Sequence, residues 1–223
     1  MITREVLQTS LEVRLSGEAG RWLRAAIQDA SNGDRGSLLR AYTDASRTLG
    51  RLPFTLRQPG LFPPPEAAGL SIESWTMEDA ARLTFLLYRS ASGAHGADDD
   101  VLACYDLGDS REQQSWLKGV AVLPAPERHL PLVIDACRTN ILPQFEAVAC
   151  GNPYPSLYFP ERNFNQLVLK ALFNGVRLER IVGLSARANA DLARMAGDYA
   201  AERMAAGRPV PADIGLAMTG AAA

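Results

Sequence analysis

Apolar residues recur at helical spacing along most of the chain, and this periodicity constrains the fold more than any other sequence feature. Starting at Phe164, for example, apolar residues follow at i+3, i+4, i+7 and i+8, which places them on one helix face. Outside such segments there is no alternating apolar and polar run long enough for a central strand. The sequence therefore predicts an all-α protein, either a multi-helix bundle or an irregular HEAT-like stack of helices.

Two segments interrupt the helical pattern with prolines. Residues 51–74 have a proline density that neither a helix interior nor a central strand tolerates, so we expect a long ordered loop there. The segment NPYPSLYFP at 152–160 is also rich in proline and is predicted to be a rigid loop. The remaining chain is predicted to be helical, ending in one long helix over about 186–206.

Several helix starts carry capping patterns. Thr76 followed by Asp79 predicts the start of a central, buried helix, because the run AARLTFLLYRS is apolar on nearly every face. Asp109 with Glu112 is typical of a capping box. The acidic triplet Asp98 to Asp100 suits the positive end of a helix dipole and lacks the DDxxD spacing of a magnesium site.

Composition excludes several classes of function. A net charge of −2, from 23 basic and 25 acidic residues, offers no basic field for nucleic acid. No apolar stretch is long enough for a membrane span, and the polar N-terminus is unlike a signal peptide. Three cysteines without a CxxC pair predict buried free thiols in a reducing cytosol, so we expect a cytoplasmic protein.

Common catalytic signatures are missing. The sequence has no P-loop, no GxGxxG, no HExxH and no GxSxG motif, and its two histidines, His95 and His129, cannot build a histidine-rich metal site. A cysteine nucleophile such as Cys137 or Cys150 beside His129 is conceivable, but cysteines in apolar helical runs are usually core residues. We expect neither a cofactor nor a bound metal.

A cluster of charged and amide side chains flanks the NPYP segment and predicts a pocket for a small polar or anionic molecule. The alternative is that these side chains hold the loop and cap helix ends. The predicted ligand-binding residues are Arg138, Asn140, Asn152, Tyr154, Tyr158, Asn165, Lys170, Arg187 and Asn189.

At these residues the sequence resembles the EboA domain family. The resemblance is carried by YDLGDSREQQSWLKGVAVLP, by DACRTNILPQFEAVACGNPYPSLYF and by NQLVLKALFNGVRLERIVGLSARANADLARMAGDYAAERMAAGRPVP, over about 104–211. It implies a helical core over 104–211, preceded by a variable helical region over 1–103 and followed by a flexible tail over 212–223. We expect these regions to form one compact domain. The matching motif positions are Gly108, Asp109, Glu112, Arg138, Thr139, Asn140, Glu146, Asn152, Tyr154, Asn165, Lys170, Arg187, Asn189 and Arg203.

The resemblance also implies a genomic role. Family members are encoded beside a prenyltransferase-like membrane protein, a sugar-phosphate-cyclase-like enzyme and metal-dependent hydrolase-like proteins. These clusters are linked to secondary metabolites such as the scytonemin precursor and to metabolite traffic from cytosol to periplasm. Proteins of the same cluster, including the membrane prenyltransferase-like protein as a peripheral contact, are therefore expected partners.

Three functional hypotheses follow. The first is a non-catalytic protein that binds a metabolite or a partner enzyme, because arginine, asparagine and tyrosine recognise anions without supplying an acid–base pair. The second is an enzyme in which Glu146 or Asp109 is the base and Lys170, Arg138 or Arg187 stabilises an anion. The third is a structural adaptor. A cavity faced by both Glu146 and Lys170 would favour the enzyme.

Overall fold

The structure, a computed structural model, describes residues 2–219. Within that range the chain forms thirteen α-helices, α1 to α13, and no β-strand beyond one isolated bridge between Pro53 and Thr76. This confirms the predicted all-α class. The chain divides into two compact units, Met1–Pro126 and Glu127–Ala223, called unit 1 and unit 2 below. Over the described residues, no helix combines the length and the apolar character needed to cross a bilayer.

Unit 1 is a bundle arranged around its fourth helix. The helices of unit 1 are α1 (Ile2–Glu12), α2 (Gly17–Asn32), α3 (Arg35–Leu49), α4 (Met77–Ser90), α5 (Ala97–Asp106) and α6 (Ser110–Gly119). Helix α4 packs against each of the other five. Every residue from Met77 to Leu87 is buried, which confirms the prediction of a central helix.

Capping boxes start two helices of unit 1; the sequence predicted both helix starts, and a capping box at the second. At the start of α4 the Thr76 hydroxyl accepts from the Asp79 N–H at 3.3 Å, and the Asp79 carboxylate accepts from the Thr76 N–H at 2.9 Å. Asp109 and Glu112 form the same reciprocal pair at the start of α6. Each box satisfies N–H groups that have no partner inside the helix.

The proline-rich segment 51–74 is an ordered loop whose ends meet. The Phe54 N–H donates to the Trp75 carbonyl, and the Met77 N–H donates to the Leu52 carbonyl, both at 2.9 Å. Only two short 3-10 turns, Pro59–Leu61 and Pro65–Ala67, interrupt it. The buried rings of Phe62 and Trp75 pack edge to face, with their centroids 5.9 Å apart. This contact anchors the segment to Trp75, the residue that follows it in the chain.

Unit 2 contains two helices of 13 and 16 residues and five shorter helices. Its helices are α7 (Leu130–Ala136), α8 (Leu142–Ala149), α9 (Tyr154–Tyr158), α10 (Glu161–Phe173), α11 (Leu184–Arg187), α12 (Ala190–Ala205) and α13 (Gly215–Met218). Helix α10 packs against α12, and α12 packs against α13. Fully buried Phe164, Val168 and Leu192 contribute to its core.

Two predictions about unit 2 are wrong. The NPYPSLYFP segment was predicted to be a loop, but it contains α9, because prolines in a first turn replace N–H groups that would have no helical partner. The predicted last helix over 186–206 is split into α11 and α12. Asn189 is extended between them and caps α12 by accepting from the Leu192 N–H at 2.9 Å.

The segment predicted as a tail, 212–223, contains α13. Ile214 and Ala217 are buried, and α13 packs against α12. Residues 220–223 lie outside the described residues.

Candidate functional site

Lys170, a predicted anion-binding and catalytic candidate on α10, binds the end of another helix. Its ammonium donates to the carbonyls of Cys137 and Thr139, each at 2.6 Å, directly after α7. It also lies 5.2 Å from the centre of the Phe145 ring. Burial lowers the pKa of Lys170. Its contacts are those of a C-terminal helix cap supplied from a neighbouring helix.

The two acid–base candidates, Glu146 and Asp109, also have structural partners. Glu146 pairs with Arg180 at 3.1 Å, whereas Lys170 donates to backbone carbonyls. Glu146 and Lys170 therefore have different partners. Asp109 belongs to unit 1, where its carboxylate accepts from the Arg111 N–H at 2.8 Å and the Glu112 N–H at 2.9 Å. The bonding of these side chains is that of caps and ion pairs.

Arg187 closes the C-terminal end of α9. Its guanidinium donates to the Ser156 carbonyl at 2.6 Å and to the Phe159 carbonyl at 2.8 Å. The same group stacks over the Phe164 ring at 4.8 Å. A planar fork can satisfy two carbonyls and an aromatic face together, which lysine cannot do.

The asparagines of the cluster bind one another and the backbone. Asn165 and Asn189 exchange side-chain hydrogen bonds of 3.0 and 3.1 Å. Asn152 is buried, donates to the Ala147 carbonyl at 3.0 Å and accepts from the Tyr154 N–H at 3.0 Å. These bonds join α8 to α9 and α10 to α12.

The other predicted binding residues divide into a buried group and an exposed group. The Tyr154 ring is fully buried and packs against the tilted Tyr158 ring with centroids 4.8 Å apart, and burial raises the pKa of Tyr154. Arg138 and Asn140 are exposed, and Arg138 forms a surface pair with Asp135 at 3.3 Å. The structure therefore places the predicted cluster around the helix ends of unit 2, where most of its members bond to other protein groups.

The three thiols are unfavourable nucleophiles. Cys104 and Cys137 are buried, as predicted, and Cys150 is partly buried. Burial raises the pKa of Cys104 and Cys137 to about 12 and that of Cys150 to about 11. With these pKa values the thiols remain protonated at neutral pH. Because the thiolate is the reactive form, they are poor nucleophiles.

A buried ionic network at the start of α4 was not predicted from the sequence. Arg82 is only 1% exposed, and it donates to the Tyr42 carbonyl and to the Ser115 hydroxyl, both at 3.0 Å. Glu78, one turn earlier, lies 3.5 Å from Arg82. The i,i+4 spacing of Glu78 and Arg82 could have indicated this ion pair, but oppositely charged residues at that spacing usually lie on a solvated helix face.

Asp79 extends this network to α6. It accepts from the Ser115 hydroxyl at 2.6 Å and from the Lys118 ammonium at 2.7 Å. Burial alone would raise the pKa of Asp79, but Lys118, Ser115 and the Thr76 N–H together lower it below its usual 3.8. The network thus holds α4 and α6 together through charge-assisted bonds.

The acidic triplet lies in the first turn of α5, as predicted, and its last member also contacts two arginines. Asp100 is buried between Arg89, at 2.9 Å, and Arg35, at 2.6 Å. Burial would raise the pKa of Asp100, but these two guanidinium groups lower it. Within residues 2–219, no group of three or more histidine, cysteine, aspartate or glutamate residues is placed to hold a metal ion.

A cleft of about 260 Å³ opens on unit 1 between α1 and the proline-rich segment. Its walls combine one acidic, one basic, several neutral polar and two apolar side chains. The lining residues are Glu5, Val6, Thr9, Ser10, Arg57, Gln58 and Leu61. No sequence motif marks this site, because its residues come from segments about 50 positions apart and lie together only after folding.

The fold and these sites define an all-helical protein whose polar side chains stabilise helix ends. The chain belongs to the EboA family: it matches the family described as metabolite traffic protein EboA over residues 3–219. The match therefore includes the first hundred residues as well as the segment that carries the motifs. Neither a curated protein nor a solved structure matches the chain.

Proposed function

We propose that this EboA-family protein acts in metabolite traffic as a cytoplasmic binding protein and not as a catalyst. It binds a small polar or anionic precursor of a secondary metabolite and passes it to a protein encoded in the same gene cluster. The recipient on the route to the periplasm is the prenyltransferase-like membrane protein, which it contacts peripherally.

One observation carries this proposal: the candidate catalytic groups are engaged in structural bonds. Lys170 is bonded to two carbonyls, Glu146 is paired with Arg180, and Asp109 caps α6. A general base must reach the proton that it abstracts, and each of these groups would first have to give up a structural bond. Arg138 and Asn140 are exposed and remain proposed contacts for a ligand or a partner.

The experiment is native mass spectrometry of the protein purified from a host that expresses the neighbouring genes. We expect a small molecule that stays bound to the folded protein and is released on denaturation. The released molecule is then incubated with fresh protein and analysed again. Recovery of an unchanged molecule supports binding, whereas its chemical conversion by the protein contradicts the proposal. Glu146→Gln would then show whether Glu146 transfers a proton.

A further inference from the structure

We propose that unit 1 binds the anionic surface of a lipid bilayer through a small patch of aliphatic and basic side chains. This docking patch consists of Val13, Arg14, Arg51 and Leu52. The inference rests on the proposed delivery to a membrane protein, and it adds a direct contact with the bilayer around that protein.

The two aliphatic side chains of the docking patch are exposed although their chain neighbours are buried. Leu52 is 69% exposed and Val13 is 61% exposed, whereas Leu11 and Leu49 are 0% and 6% exposed. Val13 follows the last residue of α1, and Leu52 lies in the proline-rich segment after α3, so both project from connections between helices. Their apolar surface is therefore available to a partner.

Hydrogen bonds of Arg14 hold these two connections together. The Arg14 guanidinium donates to the Pro53 carbonyl at 3.0 Å and to the Thr55 hydroxyl. Arg14 directly follows Val13, and Pro53 directly follows Leu52, so the bonds join the two backbones that carry the aliphatic side chains. The docking patch is therefore formed before a partner binds, which lowers the cost of ordering it.

The charge of the connections complements an anionic surface. Residues 13–17 contain one arginine, residues 45–65 contain three, and neither range contains an aspartate or a glutamate. Arg51 is exposed, and it has no ion pair with any of the residues 2–219. An exposed arginine near an anionic leaflet strengthens binding by about fivefold.

The acids nearest to these ranges in sequence offset the positive charge only in part. Asp44 is paired with Arg47, and the Glu12 carboxylate accepts from the Gln8 amide at 2.9 Å. Glu18 is exposed in the first turn of α2, where the helix dipole favours it. Arg14 and Arg51 therefore remain as the basic groups beside the aliphatic side chains.

The side chains of the docking patch favour a bilayer over a protein as the partner. Surfaces that lie on anionic membranes combine apolar side chains with arginine or lysine. The residues that dominate protein interfaces are enriched in tryptophan, tyrosine and arginine, whereas leucine and valine are under-represented among them. Leu107 is 71% exposed but lies between Asp106 and Asp109 in sequence, and these acids would be repelled by anionic lipid.

The test is sedimentation of the full chain with lipid vesicles. The vesicles contain either phosphatidylcholine alone or phosphatidylcholine with about 30% phosphatidylglycerol, an anionic lipid. We expect binding to the anionic vesicles in about 0.05 M salt, and binding at least tenfold weaker to neutral vesicles or in about 1 M salt. Arg51→Gln and Leu52→Ser should each weaken binding to the anionic vesicles by about fivefold.

The controls match each substitution in exposure and in chemistry. Leu107→Ser replaces a leucine that is as exposed as Leu52, and Arg24→Gln replaces an exposed arginine of α2 outside the docking patch. Both variants should bind the vesicles like the wild type. Circular dichroism of all four variants verifies that they are folded.

Three results would overturn the inference: absence of binding to anionic vesicles, equal binding to both kinds of vesicle, or equal effects of Leu52→Ser and Leu107→Ser. If the wild type binds no vesicle but Leu52→Ser fails to co-purify with a protein of the same gene cluster, the docking patch binds a protein instead of lipid. Native mass spectrometry tests the proposed function separately, since Arg51→Gln should retain the same small molecule as the wild type.

Discussion

Lys170 shows how a single residue of unit 2 stabilises a helix to which it does not belong. It projects from α10 and satisfies two carbonyls after α7, a place where α7 has no further N–H donors of its own. Arg138, next to those carbonyls in sequence, is instead exposed, and its surface pair with Asp135 lies in water. Two basic residues of the same predicted cluster therefore differ in what they contribute to stability.

We predict that Lys170→Met lowers the free energy of unfolding by about 2 kcal/mol, because two carbonyls lose a charged donor. Arg138→Met is the matched control and should change the free energy by less than about 0.5 kcal/mol, since exposed ion pairs contribute little. Urea denaturation followed by circular dichroism measures both. Equal effects of the two substitutions would show that the Lys170 bonds do not stabilise α7.

At the scale of elements, α4 combines a buried apolar helix with a buried ionic network at its first turns. Asp79 caps this helix and also binds Ser115 and Lys118 of α6, so one carboxylate serves two helices. Its pKa is lowered below 3.8 in the folded protein because those partners favour the charged form more than burial opposes it. A depressed pKa in the folded state means that the folded protein binds fewer protons than the unfolded chain.

We therefore predict that Asp79 contributes stability that is fully present above its ordinary pKa of 3.8 and is lost as the pH falls through its lower folded value. Asp79→Asn should reduce the unfolding free energy at neutral pH by about 3 kcal/mol, since Lys118 loses its charge partner. The unfolding free energy of this variant should also fall less steeply than that of the wild type between about pH 5 and about pH 2. Urea denaturation at several pH values measures the slope.

The control for this series is Asp99→Asn, an exposed acid at the start of α5. It should leave the acid slope close to that of the wild type. A slope in Asp79→Asn that equals the wild-type slope would mean that other carboxylates cause the acid sensitivity.

At the scale of the whole molecule, each unit has its own buried core. The three tryptophans, Trp22, Trp75 and Trp116, all belong to unit 1. Tryptophan fluorescence therefore reports unfolding of unit 1, whereas far-ultraviolet circular dichroism reports the helices of both units. This distribution allows the two units to be followed separately in the intact chain.

We predict that Arg187→Ala, a substitution in unit 2, separates these two signals. The loss of two charge-assisted bonds and a cation–π contact should destabilise unit 2 by about 3 kcal/mol. The circular dichroism transition should broaden toward lower urea concentration, while the fluorescence transition keeps its wild-type midpoint. Arg194→Ala, whose side chain forms exposed pairs on α12, is the control and should move neither signal. Equal shifts of both signals would show that the units unfold as one.

Some features follow from local sequence alone, and others require distant segments to meet. The capping boxes at Thr76 and Asp109 were predictable because both partners lie within three residues of each other. The break before α12 was also local, since Asn189 is a favourable N-cap, but the apolar pattern on both sides of it suggested one continuous helix. The partners of Lys170 and Arg187 were not predictable, because they are carbonyls about 30 positions away.

The sequence by itself determined the all-α class, the buried character of α4, the ordered proline-rich segment and membership of the EboA family. These depend on periodicity, capping and motif order, which are local properties of the chain. Only the tertiary structure decided that the predicted polar cluster bonds helix ends and that Arg82 is buried in an ionic network. It also brought residues of α1 and of the proline-rich segment together in the lining of one cleft. The same local sequence pattern is compatible with a charged side chain that is solvated, paired or directed into a cleft. Packing decides which of these occurs, because burying an unpaired charge is too costly.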